Sequence, residues 1–376
     1  MKETKAPQGY QLDTEIYTAE IPDATVVTMN MEDKPEVGNL RIIKQSELPE
    51  ISENNQCYSL AGAEFTIYKD AACKTVYQVI KTNADGIAEC HDMPLGDYWV
   101  KETKAPKGFE LNTNWTQKAT VTASHTAEKP LTYTCKDVPG NDPTGIEITK
   151  LQNGDKTDTI PTLEGTQFTI KYYDGFYDSV SELPAPTRTW VLEVKEVGNT
   201  ERYITGLTDN YLVDGSDELY YINGVPCLPY GTITIQETKP AAGYTLDGYL
   251  VNKDTGEVVS QNSEIYIAQI NKDSGAVRLQ GGNEFTGYNT PKSSKIKLKK
   301  FDSDGKNPLA GVVFEIKNSD GEVVGTKTTD RNGEIIFDNL YPDIYTITEK
   351  ENSTGTFSAE RPNCCKGSNG SDRRLY

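Results

Sequence analysis

The sequence predicts an all-β protein built from tandem β-sandwich domains, and three features of the chain lead to that prediction. Short stretches of alternating apolar and polar residues recur throughout, and this alternation is typical of half-buried strands. Turns rich in Gly, Pro and Asn separate these stretches. One motif also repeats, with close copies at residues 2–10 (KETKAPQGY), 98–109 (YWVKETKAPKGF) and 235–244 (IQETKPAAGY). Such repetition indicates an array of similar domains.

Composition places the 376-residue chain among soluble, β-rich proteins and argues against several partners. Apolar residues make up 36% and charged residues 25%, with Tyr, Thr, Val and Ile common. The net charge of -18 would repel nucleic acid and anionic membranes, and no run of 18 apolar residues predicts a membrane-spanning helix. Because Met1 is followed at once by a charged strand, we expect no signal peptide, and the repeats suggest that the chain begins inside a domain.

Cysteine and histidine usage predicts neither a metal site nor a cofactor. The seven cysteines lack a CxxC pair, and the two histidines are His91 and His125, so the ligand spacing of a zinc site is missing. We expect buried free thiols, with one disulfide among Cys57, Cys73 and Cys90 as an alternative.

The repeats divide the chain into four units and a tail. Unit 1 (1–36) is predicted to be the C-terminal part of a truncated domain, and unit 2 (37–139) a complete one. Unit 3 (140–291) is complete with long insertions, unit 4 (292–355) is incomplete, and residues 356–376 have the composition of a disordered or foreign tail. Short joints between the units favour a rod.

The strands can be placed within each unit from the alternation. In unit 1 they follow the repeat motif, at 15–21 and 24–33. Unit 2 is predicted to have strands at 38–44, 60–67, 98–102, 119–123 and 131–137, with a tight turn at 83–86. Unit 3 repeats this order, with strands at 146–150, 163–170, 233–237 and 285–289 and an insertion at 172–229. Unit 4 begins the order again, with strands at 296–300, 309–316 and 345–349 and a turn at 330–333.

Polar residues recur on the inward phase of these strands, in a fixed order. A lysine lies on the first strand, a glutamate on a middle strand, and an aspartate or asparagine on the last. The sets are Lys44, Glu102 and Asp137 in unit 2; Lys150, Glu237 and Asn289 in unit 3; Lys300 and Glu349 in unit 4; and Glu3 and Asp33 in unit 1. Burying a carboxylate costs free energy unless the group is protonated or paired, so its repeated placement on the inward face indicates that each glutamate has a partner.

These residue types can join covalently once they are buried together. Desolvation lowers the pKa of a lysine and raises that of a glutamate, which favours a neutral amine and a protonated carboxyl. The amine is then a nucleophile, and the carboxyl can move protons. Attack on a neighbouring Asn amide or protonated Asp carboxyl would expel ammonia or water and leave an amide between the first and last strands. The alternative is a buried ion network without covalent chemistry.

The order of these residues resembles the Cna-B (SpaA-type pilin) domains of Gram-positive surface proteins. The resemblance rests on the inward lysine, the segment 60–65 (LAGAEF), the Glu-Thr-Lys-Ala-Pro-Lys-Gly motif and the final Asp/Asn-x-Pro. It implies Ig-like, prealbumin-like sandwiches that stack as stalks or pilus shafts. It also implies roles in isopeptide formation, with nucleophiles Lys44, Lys150 and Lys300, proton shuttles Glu3, Glu102, Glu237 and Glu349, and acceptors Asp33, Asp137 and Asn289.

By the same resemblance, the protein is expected outside the cell, on the cell surface or cell wall. The chain has no Tyr-Pro-Lys-Asn pilin motif and no Leu-Pro-x-Thr-Gly sorting signal, so any sortase-mediated attachment is expected outside this segment. Host extracellular matrix or glycans are the expected partners, through other parts of the full protein.

A binding module and an enzyme are two other function classes to compare with the sequence. The insertion at 172–229 has many aromatic residues that could form a binding surface for a glycan or matrix protein, although packing over the sandwich edge is favoured. These aromatics are Tyr172, Tyr173, Phe176, Tyr177, Trp190, Tyr220 and Tyr221. A turnover enzyme is not expected, because no His-centred triad, metal set or phosphate loop is visible.

Overall fold

The fold is all-β, as predicted. The computed structural model describes residues 1–23, 26–143, 145–154, 161–273 and 276–352. Within those ranges the helical segments are one short helix, α1 (Pro49–Ser52), and a 3-10 turn at Val180–Glu182. In the same ranges, no helix has the length and apolar character needed to cross a membrane.

Unit 2 is a sandwich of two sheets. Its strands are β1 (Val37–Ser46), β2 (Glu64–Tyr68), β3 (Val76–Lys81), β4 (Ile87–Pro94), β5 (Gly96–Lys104), β6 (Thr116–Val121) and β7 (Leu131–Asp137). The sheet orders are β4-β1-β7 and β3-β2-β5-β6, and β1 and β7 run parallel. Alternate side chains of β1 and β2, among them Leu40, Ile42, Phe65 and Ile67, fill the space between the sheets and are fully buried.

Unit 3 repeats this plan with additional strands. They are β8 (Asn141–Asp142), β9 (Glu147–Gln152), β10 (Gln167–Tyr173), β11 (Arg188–Glu193), β12 (Lys195–Glu196), β13 (Tyr203–Gly206), β14 (Tyr220–Ile222), β15 (Val225–Pro229), β16 (Gly231–Lys239), β17 (Tyr249–Asn252), β18 (Val258–Ser260), β19 (Tyr266–Asp273), β20 (Ala276–Leu279) and β21 (Glu284–Asn289). The two main sheets are β11-β10-β16-β19-β20 and β12-β13-β9-β21-β17-β18, beside a small sheet β14-β15-β8. The first and last strands of the two main sheets, β9 and β21, are again parallel neighbours.

The insertion of unit 3 is folded into the sandwich. It contributes β11 to one main sheet and β12 and β13 to the other. Four of the seven aromatic side chains named above are buried, namely Tyr172, Tyr173, Trp190 and Tyr220, whereas Phe176 and Tyr221 are exposed. Most of the aromatic surface therefore serves the core.

Unit 4 is smaller. Its strands are β22 (Ser294–Lys299), β23 (Val312–Lys317), β24 (Val323–Thr328), β25 (Glu334–Leu340) and β26 (Thr346–Asn352), in the sheets β22-β25 and β24-β23-β26. Phe314, Ile316 and Phe337 form the centre of its core. The predicted tail at 356–376 lies outside the described residues.

Unit 1 differs from the strand prediction. In its described residues the pairings are isolated bridges, Lys2 with Ile16 and Tyr10 with Pro35, and the segments predicted as strands form no ladder. Val27 and Met31, expected to face a core, are each 43% exposed. Alternation makes a segment suitable for a strand, but a strand also needs a neighbour that satisfies its backbone groups.

Units 2 and 3 meet in a buried joint. The Tyr58 hydroxyl donates to the Gly140 carbonyl at 2.7 Å and accepts from the Tyr230 amide at 2.9 Å. The Asn55 side chain donates to the Tyr172 hydroxyl at 2.7 Å, and the rings of Tyr58 and Tyr230 pack edge to face. Because these groups are buried and paired across the joint, they resist bending between the two units.

Candidate functional site

The parallel pairing of first and last strands places lysine and acceptor at the same relative positions in units 2 and 3. In unit 2, Lys44 of β1 lies opposite Cys135 of β7, and Asp137 follows two residues later. In unit 3, Lys150 of β9 lies opposite Gly287 of β21, with Asn289 two residues later. Residues two apart face the same side of a strand, so each acceptor is directed into the core beside its lysine.

A third strand brings the glutamate to this pair. Three of the four predicted glutamates lie opposite a phenylalanine: Glu102 opposite Phe65, Glu237 opposite Phe168 and Glu349 opposite Phe314. A register shift adjoins each of these phenylalanines. Such bulges redirect a side chain locally, and here they recur where the glutamate turns inward.

The site of unit 2 is a closed cluster of charged groups. Lys44 Nζ lies 2.6 Å from Glu102 Oε1 and also contacts Asp137 Oδ1, and all three side chains are fully buried. Cys135 Sγ is 3.2 Å from the same nitrogen. The backbone amide of Asn112 donates to Glu102 Oε2 at 3.1 Å, which fixes the carboxyl from its other side.

Burial and charge oppose each other in this cluster. Desolvation would lower the pKa of Lys44, but hydrogen bonds to Asp137 and Glu102 outweigh it, and the pKa is raised. Burial raises the pKa of Glu102 to about 7 despite the Lys44 charge. Near neutral pH, Glu102 can therefore accept and release a proton.

The site of unit 3 has the same layout with a neutral acceptor. Lys150 Nζ lies 2.8 Å from Glu237 Oε2, and the lysine is fully buried. The Asn289 amide donates to the Thr245 carbonyl at 3.0 Å and also bonds the Glu237 carboxyl. Among the described residues, Asn289 Oδ1 and Glu237 Oε1 are buried and have no hydrogen-bond partner.

Burial dominates the electrostatics of unit 3. It lowers the pKa of Lys150 and raises the pKa of Glu237, although each group opposes the shift of the other. Both shifts favour the uncharged pair, which is a neutral amine beside a protonated carboxyl. That is the protonation state required for attack on an amide.

Several residues of the two sites were not identified from the sequence. The Lys44 nitrogen lies 5.8 Å from the centre of the Phe65 ring, and the Lys150 nitrogen lies 5.5 Å from that of Phe168. These phenylalanines recur at the end of the Leu-x-Gly-x-x-Phe segment, and that repetition could have revealed them. Gly248 also borders the site of unit 3.

Unit 4 departs from the predicted arrangement. Lys300 Nζ and Glu349 Oε2 do meet, at 2.8 Å, but the two side chains are 32% and 36% exposed. The expectation that Glu349 faces a core is wrong. In the described part of unit 4, no strand equivalent to β7 or β21 lies beside β22, so nothing there covers the pair.

The residues predicted in unit 1 are not assembled into such a cluster. Glu3 accepts a hydrogen bond from the Asp13 backbone amide at 2.7 Å, and its position relative to Asp13 matches that of Glu102 relative to Asn112. Asp33 is half-buried. The sequence offered no lysine for this unit, so the roles assigned to Glu3 and Asp33 stay predictions.

One group of atoms in unit 2 has the spacing of metal ligands. Ligand atoms of Glu102, Cys135 and Asp137 lie within 4.8 Å of one another. The Lys44 nitrogen contacts all three residues and is itself a cation there. These contacts match the donor set to an ammonium better than to a metal ion. The cysteines in the described ranges are free, with four buried and Cys73 half-buried.

Comparison with known proteins identifies a family for part of the chain. The model of the SpaA family, a prealbumin-like fold domain, matches residues 47–134 and 294–362. Serine-aspartate repeat-containing protein C of Staphylococcus aureus (strain N315) is 34% identical over 144 residues, which are 35% of this chain and 14% of that protein. The chain therefore spans a small part of the curated relatives that it matches.

Solved structures agree on the fold. The Bacillus anthracis TIE protein superimposes with a TM-score of 0.52 and 22% identity, covering 85% of this chain and 46% of that one. A variant of BcpA, the major pilin subunit of Bacillus cereus, has a TM-score of 0.32 and 17% identity over 83% of this chain and 87% of its own, too low to support an argument. Given the all-β tandem sandwiches and the family match, the chain contains SpaA-type prealbumin-like domains, which the family model places at residues 47–134 and 294–362.

Proposed function

We propose that this chain is a structural stalk segment of a Gram-positive cell-surface protein, in which units 2 and 3 are each locked by an internal amide bond. The main support is the repeated geometry of the two buried sites. Both place a lysine and an acceptor on parallel first and last strands, two residues out of register, with a glutamate within 2.8 Å of the lysine nitrogen.

In unit 3 the reaction is an amide exchange. A proton moves from Lys150 Nζ to Glu237, and the neutral amine attacks Cγ of Asn289. Protonated Glu237 hydrogen-bonds the developing oxyanion on Oδ1, an oxygen otherwise without a partner among the described residues. The carbon–nitrogen bond of the Asn289 amide then breaks, and that nitrogen takes one proton from the attacking amine and one from Glu237, so that it leaves as ammonium. Glu237 returns to its starting state.

In unit 2 the reaction is a condensation. The Lys44 amine attacks Cγ of Asp137, the new carbon–nitrogen bond forms, and one carboxyl oxygen leaves as water. An ionised carboxylate resists attack, so Asp137 must first be protonated, and Glu102 at 2.6 Å from the lysine nitrogen is placed to exchange that proton. Holding the groups in place supplies much of the rate in both units.

The location of the bonds suits a stalk under tension. Each bond would join the first strand of a unit to its last, so a pulling force would pass from Lys44 to Asp137 without loading the chain between them. The hydrogen-bonded joint around Tyr58 would transmit the force to the next unit. Neither reaction turns over, because each consumes its own side chains.

Location and partners of the whole protein belong to the same proposal. The pilin-type domains support a place on the cell surface or cell wall. Host matrix or glycans would be bound by other parts of the protein, and sortase attachment would likewise lie outside this segment. A ligand surface on the insertion of unit 3 is less favoured, since four of the seven aromatic residues considered for it are buried.

Intact mass of the purified chain tests the proposal. Closing both sites should remove about 17 Da for the Asn289 reaction and about 18 Da for the Asp137 reaction, the masses of the leaving groups. Lys150→Ala should abolish the mass loss of about 17 Da and leave the mass loss of about 18 Da unchanged. Peptide mapping should recover the two branched peptides. A chain whose mass equals that of its sequence would show that the clusters are ion networks only.

A further inference from the structure

The two sites differ at one position that directly faces the lysine. Cys135 lies opposite Lys44 in the β1–β7 pair, and Gly287 lies opposite Lys150 in the β9–β21 pair. Because the strand register is the same, the cysteine and the glycine occupy equivalent positions. One site therefore has a sulfur atom beside the nucleophile, and the other has no side chain there.

The sulfur completes the surroundings of the Lys44 ammonium. An ammonium group has three hydrogens to donate. Lys44 Nζ lies 2.6 Å from Glu102 Oε1, contacts Asp137 Oδ1, and donates to Cys135 Sγ at 3.2 Å, so three groups that can accept a hydrogen bond surround it. At Lys150 the position of the third acceptor is taken by glycine. A Cβ placed on Gly287 would lie 3.5 Å from Lys150 Nζ, which shows how directly this position faces the amine.

We propose that Cys135 is a positioning residue that slows amide formation in unit 2, by accepting a hydrogen bond from the Lys44 ammonium and holding it in its unreactive form. This inference rests on the proposed function. It predicts that unit 3 closes first and that unit 2 follows more slowly.

The chemistry of the nucleophile explains the delay. Only the neutral amine has a free lone pair, so deprotonation of Lys44 must give up a hydrogen bond that Lys150 does not make to Gly287. Burial opposes the charged form of both lysines and lowers the pKa of Lys150. The pKa of Lys44 is nevertheless raised, chiefly by its hydrogen bonds to Asp137 and Glu102 and to a lesser extent by Cys135.

The thiol itself does not compete for the reaction. Burial raises the pKa of Cys135 to about 12, so the sulfur stays protonated and is a poor nucleophile. Cys135 Sγ is 3.9 Å from both Glu102 Oε2 and Asp137 Oδ1, beyond covalent reach of either carboxyl. Its contribution is therefore to the lysine.

Time-resolved mass spectrometry of the freshly synthesised full chain tests this inference. The Lys44–Asp137 and Lys150–Asn289 branched peptides are quantified in the same molecules, so that unit 3 serves as an internal clock. Cys135→Ala removes the acceptor and should speed closure of unit 2 about tenfold, the effect expected for one hydrogen bond to a charged group. Cys135→Ser keeps an acceptor and should close at nearly the parent rate.

Each outcome decides between the alternatives. Equal closure rates for the parent and Cys135→Ala would overturn the inference. It would also be overturned if Cys135→Ser closed as fast as Cys135→Ala, because the faster closure would then come from a change in packing and not from the loss of a hydrogen-bond acceptor. If Cys135→Ala does not fold in unit 2, Gly287→Cys decides in unit 3. It should slow closure there relative to Gly287→Ala, the steric control, and equal rates would contradict the inference. If neither site closes in any variant, the proposed function fails first.

Discussion

Removing the acceptor of unit 3 should measure the contribution of the bond to stability. Asn289→Ala deletes the amide but leaves Lys150 and Glu237 paired at 2.8 Å, so no buried charge loses its partner. The proposed bond would join residues 150 and 289, which are 139 positions apart (289 − 150). By the loop-entropy relation for cross-links, losing it should lower the free energy of unfolding by about 5 kcal/mol.

That loss should appear as a large shift in melting temperature. For a unit of this size, each kcal/mol corresponds to about 2–4 °C, so the unit 3 transition should fall by about 10–20 °C in scanning calorimetry. Intact mass should show that the loss of about 17 Da has disappeared from this variant.

A matched control separates the bond from ordinary packing. Asn252 is also a buried asparagine of unit 3, and its Oδ1 accepts from the backbone amides of Asp254 and Thr255. Asn252→Ala should cost about 1–3 kcal/mol and keep the mass loss. If the parent contains the bond and the Asn289→Ala and Asn252→Ala variants melt together, the loop-entropy reasoning is wrong.

Three further outcomes are expected. A Cβ on Gly248 would lie 2.8 Å from both Asn289 Nδ2 and Glu237 Oε2. Gly248→Ala should therefore displace the acceptor and slow formation of the unit 3 bond at least about tenfold, as measured by peptide mapping. An unchanged rate would refute this. In unit 2 the lysine proton is sufficient to protonate Asp137, and one further proton keeps Glu102 protonated, so that it can hydrogen-bond the developing oxyanion as Glu237 does in unit 3. The rate of unit 2 closure should therefore rise as the pH falls through about 7, the pKa of Glu102. Lys300→Ala should leave the mass losses of the intact chain unchanged. It should change the free energy of unfolding of unit 4 by about 1 kcal/mol or less in denaturant titration, because the Lys300–Glu349 ion pair is about one third exposed. A larger effect would show that the pair is shielded from solvent.

In units 2 and 3, the phase of the strands predicted which polar residues meet. Lys44, Glu102 and Asp137 are far apart in sequence, but each falls on the inward phase of a predicted strand, and the structure brings them within contact distance. The period of two residues fixes the face of each side chain once a strand exists. The order of first, middle and last strand then limits which faces can meet.

Neighbours across the strands could not be predicted in the same way. Placing Cys135 opposite Lys44 depends on the parallel register of β1 and β7, which one strand does not specify alone. The exposure of Glu349 was missed for a different reason. Its phase was correctly identified, but burial also requires a covering strand, and the described part of unit 4 supplies none there.

The cost of the buried charges gives a physical reason for the reaction. A buried Lys–Glu pair with an extra carboxyl is at best marginal for stability, because desolvation of the ions offsets their attraction. Converting Lys44 and Asp137, or Lys150 and Asn289, into an amide removes the amine that can be charged and leaves a neutral group. Burial therefore disfavours the reactants more than the product. The same apolar surroundings that make the cluster unfavourable as an ion network favour the bond that would replace it.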